Sequence, residues 1–389
     1  MKLKKFVEIL INSRWRFSRP KRKNILVVDV EYNPFDQYFR SKDINIFYRR
    51  GEEINFYIVW ECLKEFDLSY NNFYKKYIKH AKPKIIISGI DNNPGFYRLS
   101  KLTNTKTAFV QNGTKTYWND IFGDKKINNK NNKKKFFVDY MFLFNKHIAK
   151  LYGSFISGKK ILIGSFKNNI KNFNLKIKKK KEILFVSGCR THHIYDKKIL
   201  YNNPLDKNKI EFNHYNFYKN DGTLIKWLHD YSKNKNIKFN ILGKSLDVKS
   251  EKTYFCKILN TSNINFIPFS KARNTYKILN NYEYVFSIDT TLGTENLVKG
   301  GKTGFFFNRP NFFPMNTRRF GGMEKLGMKG PFWTTSSNVK EFERVFKFVV
   351  NSNNKSWNKA RNKFKNKVML YDPGNKKFLE IVNSIIKEK

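Results

Sequence analysis

Cysteine is scarce in this chain, and the three that occur, Cys62, Cys189 and Cys256, stand far apart. Their number is odd and their spacing fits no metal-ligand pattern. No disulfide framework is therefore expected, and a reduced cytoplasmic protein is the simplest reading. Long apolar runs are missing as well. No stretch approaches the ~20 residues of a spanning helix. The basic start MKLKKFVEILINSRWRF has only a short apolar run, broken by Glu8 and Asn12, unlike a secretory signal. It is expected to be a plain first helix, with an amphipathic surface anchor as the alternative. Acidic residues are few: 31 Asp and Glu against 77 Lys and Arg, a formal charge of +46. Such a balance points to nucleic acid or an anionic membrane surface. The lysines, however, are scattered, and Lys, Asn, Ile, Phe and Tyr are enriched together, as in translation of an AT-rich genome. No zinc-finger, RRM or KH pattern appears, so no specific nucleic-acid partner is expected. Anionic lipid or a phosphate-bearing substrate stays in view.

What is present is apolar and aromatic. Hydrophobic residues make up 40% and aromatics 17% of 389 residues, enough to build the cores of two α/β domains. Short β-prone runs alternate with helical spacing throughout. Asn24–Val30, Lys84–Ile90 and Thr107–Val110 read as buried strands, and Ile54–Phe66 carries apolar residues every three to four positions. A polar low-complexity stretch, Lys125–Lys135, reads as a surface loop. After a basic run at Lys176–Lys181, the alternation resumes with strands at Glu182–Val186, Ile237–Leu242 and Ile264–Ile267. Alternation of this kind implies parallel, doubly wound sheets. The expected fold class is therefore α/β, with two Rossmann-like domains facing a cleft. The expected division is one domain over 1–176, a second over 182–350, and C-terminal helices over 351–389 that pack back on both.

The stretch Tyr282–Asn308 is the most informative. Tyr284–Ile288 is a strand, Asp289-Thr290-Thr291 stops it, Leu292–Lys299 is a helix and Thr303–Phe307 a second strand: one βαβ unit. Thr and Asp cap helices because their side-chain oxygens accept from the first free amides. A helix start at the carboxyl end of a parallel strand suits a phosphate. Thr290, Thr291 and Gly293 are the candidate cradle, Gly293 leaving room for a ligand, and Glu295 would hold ribose hydroxyls. The plainer alternative is a capped helix with a Glu295–Lys299 surface pair. No GxGxxG follows the first strand, which argues against a dinucleotide there.

Four segments occur in order: FVQNG (Phe109–Gly113), IGSFKNN (Ile163–Asn169), SIDTTLGTE (Ser287–Glu295) and FGGMEKLGMKGPFWTT (Phe320–Thr335). Together they resemble a bacterial family of O-antigen and capsule biosynthesis transferases. That family is similar in turn to GT-B glycosyltransferases that use CMP-activated donors. The resemblance implies a nucleotide-sugar as substrate, a glycan or lipid-linked acceptor, and no separate cofactor. It also implies a cytoplasmic protein, peripheral at the inner membrane.

Chemistry of that type needs charge neutralisation at the leaving phosphate. Arg319, Lys325 and Lys329 in the long loop are candidates, with a surface role as the alternative for Arg319. An inverting reaction needs a base. Asp91 and Asp29 end strands of the first domain and are the candidates. For Asp91 the alternative is an ordinary Asx turn before Pro94. Gln111, Asn112 and Gly113 are assigned to the acceptor side, with a simple Asn-Gly turn as the alternative. No Asp, Glu or His set has metal-ligand spacing and no DxD motif occurs, so metal-independent catalysis is expected. Two rivals remain: a polyol-phosphate transferase with a CDP donor, and a non-enzymatic polyanion or nucleic-acid binder.

Overall fold

The computed structural model describes residues 11–28, 34–48, 52–114, 136–171, 179–188, 199–202, 209–212, 214–269, 272–307 and 326–388. Two units emerge. The described residues of Met1–Asn112, Lys125–Lys167 and Gly374–Lys389 form the first, and those of Gly113–Asp124 and Asn168–Pro373 the second. The boundary thus falls at Lys167, ahead of the basic run expected to mark it.

In the first unit, β1 (Arg14–Arg16) pairs with β4 (Glu53–Asn55) as a small ribbon. The main sheet uses β2 (Ile25–Val28), β3 (Ile44–Phe47), β5 (Ile85–Ser88), β6 (Lys106–Val110), β7 (Phe137–Leu143) and β8 (Ser157–Leu162). Its order is β3-β2-β5-β6-β7-β8, with every pairing parallel. All four residues of both β2 and β5 are buried. Strands covered on both faces read as unbroken apolar runs, which is why ILVV and IIIS were legible. The helices are α1 (Phe56–Leu63), α2 (Tyr70–Ala81), α3 (Pro94–Leu99) and α4 (Lys146–Gly153). Asn55, Ser69, Asn93 and Asn145 cap them, each accepting from an amide three residues on.

The second unit opens with β9 (Lys180–Val186), a separate antiparallel ribbon of β10 (Ile199–Asn202) and β11 (Lys209–Phe212), and α5 (His214–Asn234). Then come β12 (Phe239–Leu242), α6 (Val248–Leu259), β13 (Asn265–Ile267), α7 (Ala272–Asn280), β14 (Tyr282–Ser287), α8 (Thr291–Lys299) and β15 (Lys302–Phe306). Two short strands, β16 (Lys329–Gly330) and β17 (Trp333–Thr334), precede α9 (Val339–Asn351) and α10 (Asn354–Val368). The sheet order is β13-β12-β9-β14-β15-β17-β16, parallel except for β16. Phe342, Val345, Phe346 and Val349 of α9 enter the core beside Phe286, Phe305 and Phe306. On α10, the Trp357 indole donates to Gly300 O at 3.3 Å.

The chain then returns to the first unit as α11 (Lys376–Lys387). Phe378, Val382 and Ile385 join Ile25, Val27, Ile85 and Ile87 in one core. The Phe378 ring lies 4.8 Å from that of Phe166 and 4.9 Å from that of Phe142. Lys84 Nζ donates to the last-turn carbonyls Ile386 O and Glu388 O, at 2.7 and 2.6 Å. The expected C-terminal region is therefore shared out: α10 belongs to the second unit and α11 to the first.

Candidate functional site

In open parallel sheets, ligands gather where the strand order reverses, at the carboxyl ends. In the second unit β9 is first in sequence, with β12 and β13 to one side and β14 and β15 to the other. The reversal lies between β9 and β14. The start of α8 follows the end of β14 directly, so it stands at that point.

The local geometry is built by hydroxyls. Ser287, the last residue of β14, is fully buried. Its Oγ accepts from Thr290 N at 3.1 Å and lies 2.7 Å from Thr290 Oγ1. Thr290 is the N-cap of α8, and its Oγ1 accepts from Gly293 N at 3.1 Å. A second segment docks beside it. Thr291 Oγ1 accepts from Thr114 N at 3.0 Å and lies 3.0 Å from Thr114 Oγ1. A Cβ on Gly113 would stand 3.5 Å from the same Thr291 oxygen. Thus Gly113, Thr114, Thr290 and Thr291 meet at one helix start. The amides that open an α-helix have no intrahelical acceptor, and the macrodipole makes them partly positive. An anion is what this geometry suits.

Gly293 has a different role from the one expected. An added Cβ would lie 2.7 Å from Ser287 Cβ and 3.1 Å from the Phe305 ring. Its lack of a side chain lets α8 pack onto β14 and β15, not a ligand onto α8. Glu295 is likewise turned inward. Only 4% exposed, its Oε2 accepts from the Tyr276 hydroxyl at 2.8 Å, while its backbone O accepts from Asn168 Nδ2 at 3.1 Å. A ribose would have to displace a buried tyrosine to reach it. Neither is Glu295 half of a surface pair: burial pulls the Lys299 ammonium down to about 8, against the opposing attraction of Glu295.

On the other side of the reversal, a residue that the sequence reading missed organises two loops. Glu251 of α6 is fully buried. Its carboxylate accepts from Ser187 Oγ at 2.7 Å and from the amides of Lys244 and Ser245 at 2.9 and 2.7 Å. One carboxylate so ties the end of β9 to the loop after β12. The signal was Gly243-Lys244-Ser245 followed six residues later by an acid. A Cβ on Gly243 would stand 2.9 Å from that carboxylate and 2.6 Å from the Phe266 ring, so a side chain there would have to displace them.

The other expected positions lie elsewhere. Asp91 follows β5 in the first unit and is 1% exposed. Its carboxylate accepts from the Tyr152 hydroxyl at 2.5 Å, and its carbonyl from that of Tyr97. It is packed among aromatic rings, which is not the open position a base for an acceptor hydroxyl requires. Gln111, 3% exposed, accepts from Phe144 N at 2.9 Å and ties β6 to the residue after β7. Asn112 is exposed and accepts from Lys167 Nζ at 2.8 Å. Lys329 is level with Thr334, which is level with Phe306, so it sits at the carboxyl edge. Three strand spacings separate it from β14, about 14 Å. Its ammonium stands 3.7 Å from Glu341. Asp29, Arg319 and Lys325 lie outside the described residues. Among the described residues no three His, Cys, Asp or Glu side chains are grouped to hold a metal ion.

Comparison with known proteins adds the family. A family model described as "putative O-antigen biosynthesis protein" matches residues 108–386, well over half of the chain. No curated protein sequence matches. Among solved structures, the chain is similar to a "putative UDP-N-acetylglucosamine 2-epimerase from Listeria monocytogenes", with 10% identity and a TM-score of 0.55, covering 95% of this chain and 97% of that one. It is similar also to the wall teichoic acid polymerase TagF in its H444N variant. There the identity is 12% and the TM-score 0.54, over 95% of this chain and 90% of that one. At such identities the likeness is one of fold: two Rossmann-like halves of the GT-B type.

Proposed function

The chain belongs to this O-antigen biosynthesis family, and from that premise we propose that it is a GT-B glycosyltransferase of surface polysaccharide assembly. It transfers a sugar from a nucleotide-activated donor, CMP-sugars being favoured, to a glycan or lipid-linked acceptor. The reaction is inverting and independent of metal, and the protein works in the cytoplasm, peripheral to the inner membrane. The observation that carries this reading is the start of α8 at the strand reversal, with Thr114 fastened to Thr291. The first-turn amides, framed by Thr290 and Thr291, hold the donor phosphate. Arg319 and Lys325 supply cationic side chains to the leaving nucleotide. Asp29, which follows β2, takes the role of base, since Asp91 is buried.

The test is calorimetric titration with CMP, CDP, UDP and GDP and their sugar conjugates, on the native chain and on Thr290→Ala. The native protein is expected to bind one nucleotide class, and Thr290→Ala to lose about tenfold of that affinity along with about 1 kcal/mol of stability. Failure to bind every nucleotide, with the fold intact, sinks the reading.

A second reading is supported by the likeness to TagF, which was also solved with CDPG soaked in. In it the donor is a CDP-polyol and the group transferred is a polyol phosphate. Analysis of product for added phosphorus separates the two.

A further inference from the structure

We propose that an exposed aromatic face of the first unit, carried by β1, α1 and the turn after α1, docks on an anionic lipid bilayer surface. The inference rests on the reading above only for its choice of occupant. The face itself is visible without it.

Phe56, Trp60 and Leu63 recur at four and three residues along α1, so they share one side of it. They are 40%, 52% and 40% exposed, while Ile58 and Cys62 on the opposite side are fully buried. The helix is therefore amphipathic in an unusual sense: apolar inward and aromatic outward. β1 extends the outward face. Phe17, 69% exposed, has its ring 5.5 Å from that of Phe56, and Trp15 lies 6.3 Å from the same ring. Just past α1 the Phe66 ring is 98% exposed. Monomeric surfaces seldom gather aromatics in this way without a partner.

Phe66 supplies an independent observation. Its φ is +53°, in the left-handed region that bulky side chains avoid. The turn is held by Phe66 N donating to Leu63 O at 3.0 Å and Asp67 N donating to Cys62 O at 3.1 Å. An aromatic residue is thus kept in a disfavoured conformation, yet its ring packs against almost nothing. Strain that brings no packing within the chain points to a contact outside it.

Charge chooses the occupant. The carboxylates nearest this face are engaged locally: Glu53 by Arg16 at 3.0 Å, Glu61 by Lys64 at 3.0 Å, Glu65 by Lys76, and Asp67, next to Phe66, by the amide of Ser69 at 2.8 Å. Arg14, Arg19, Lys21 and Arg22 are exposed in the stretch that carries Trp15 and Phe17. Indole and phenyl groups flanked by Arg and Lys are the composition of a membrane interface. A second copy of this chain would bring its own net charge of +46 to the contact and be repelled. Among the described residues no helix is long and apolar enough to cross a membrane, so attachment through this face is peripheral.

Flotation of the full chain with vesicles provides the test. One set is phosphatidylcholine alone, and the other phosphatidylcholine with an equal part of phosphatidylglycerol. The native protein is expected to float with the mixed vesicles, less so at high salt. The double variant Trp60→Glu/Phe66→Glu is expected to lose partitioning by about tenfold or more, and Trp60→Phe/Phe66→Leu to keep it. Both positions are exposed, so circular dichroism of the variants should match the native chain. Equal flotation of the native and Glu variants overturns the proposal. So does a native chain that ignores vesicles and forms a dimer which the Glu variant dissolves. Nucleotide titration of the same variants is expected to be unchanged. Its failure in the native chain as well would count against the transferase reading and leave the docking face standing.

Discussion

At the scale of single residues, the sharpest case is Phe66. A left-handed backbone costs a residue with a Cβ about 1–2 kcal/mol. Replacing it by glycine removes that cost but loosens the unfolded chain, a loss of about 0.4–1 kcal/mol. The ring is almost wholly exposed, so no packing is forfeited on the folded side. The first effect outweighs the second, and Phe66→Gly is expected to raise the urea midpoint by the equivalent of about 0.5–1 kcal/mol. A lower midpoint would show that the turn carries no strain. The same variant should bind vesicles more weakly, so stability and docking would move in opposite directions.

The element scale is where α8 belongs. Its first turn faces the strand reversal, while its last turn holds an ammonium in a half-buried place. Lys299 Nζ donates to Asn280 Oδ1 at 3.1 Å, but burial lowers its pKa to about 8, with Lys179 pushing the same way. The folded state therefore releases this proton near pH 8, whereas the unfolded chain keeps it to about 10.4. Where the unfolded chain binds more protons, stability rises with pH. The penalty for Lys299 is thus complete below about pH 8 and fades as pH climbs toward about 10.4. Thermal unfolding should show the native chain gaining on Lys299→Met across that window. A pH-independent difference between the two would mean that the amine is fully hydrated in the fold.

The same helix shows how far the sequence could be read. The strand, the cap and the helix of Tyr282–Lys299 were legible because burial on both faces and capping chemistry are local signals. The meeting of Gly113 and Thr114 with Thr291 was not, since a contact across 177 residues leaves no periodic trace. Glu295 was assigned to a ligand because spacing cannot tell which way a helix faces; Tyr276 settles that in the structure. Glu251 was overlooked because an acid four residues into a helix resembles any solvent-facing one until Ser187 is brought against it. Asp91, a candidate base with an Asx turn as the alternative, is instead buried against Tyr97 and Tyr152, which its sequence neighbours do not announce.

For the whole molecule, the decisive element is α11. Phe378 is fully buried between Phe35, Phe142 and Phe166. Truncating such a ring removes burial and leaves a cavity, a loss of about 3–5 kcal/mol. Phe378→Ala is expected to shift the urea midpoint by that equivalent, and Leu246→Ala, at an 87% exposed site, by less than about 0.5 kcal/mol. Comparable effects at both positions would refute a core built around α11.

That helix also sets a timetable. The described strands of the first unit are made by Leu162, yet three of its core side chains, Phe378, Val382 and Ile385, come more than two hundred residues later. At roughly 5–20 residues per second on the ribosome, the wait is about 10–40 s. Through that interval the nascent sheet keeps the greasy flank that α11 later covers. Exposed apolar surface of this kind is what a chaperone guards while a chain is being made.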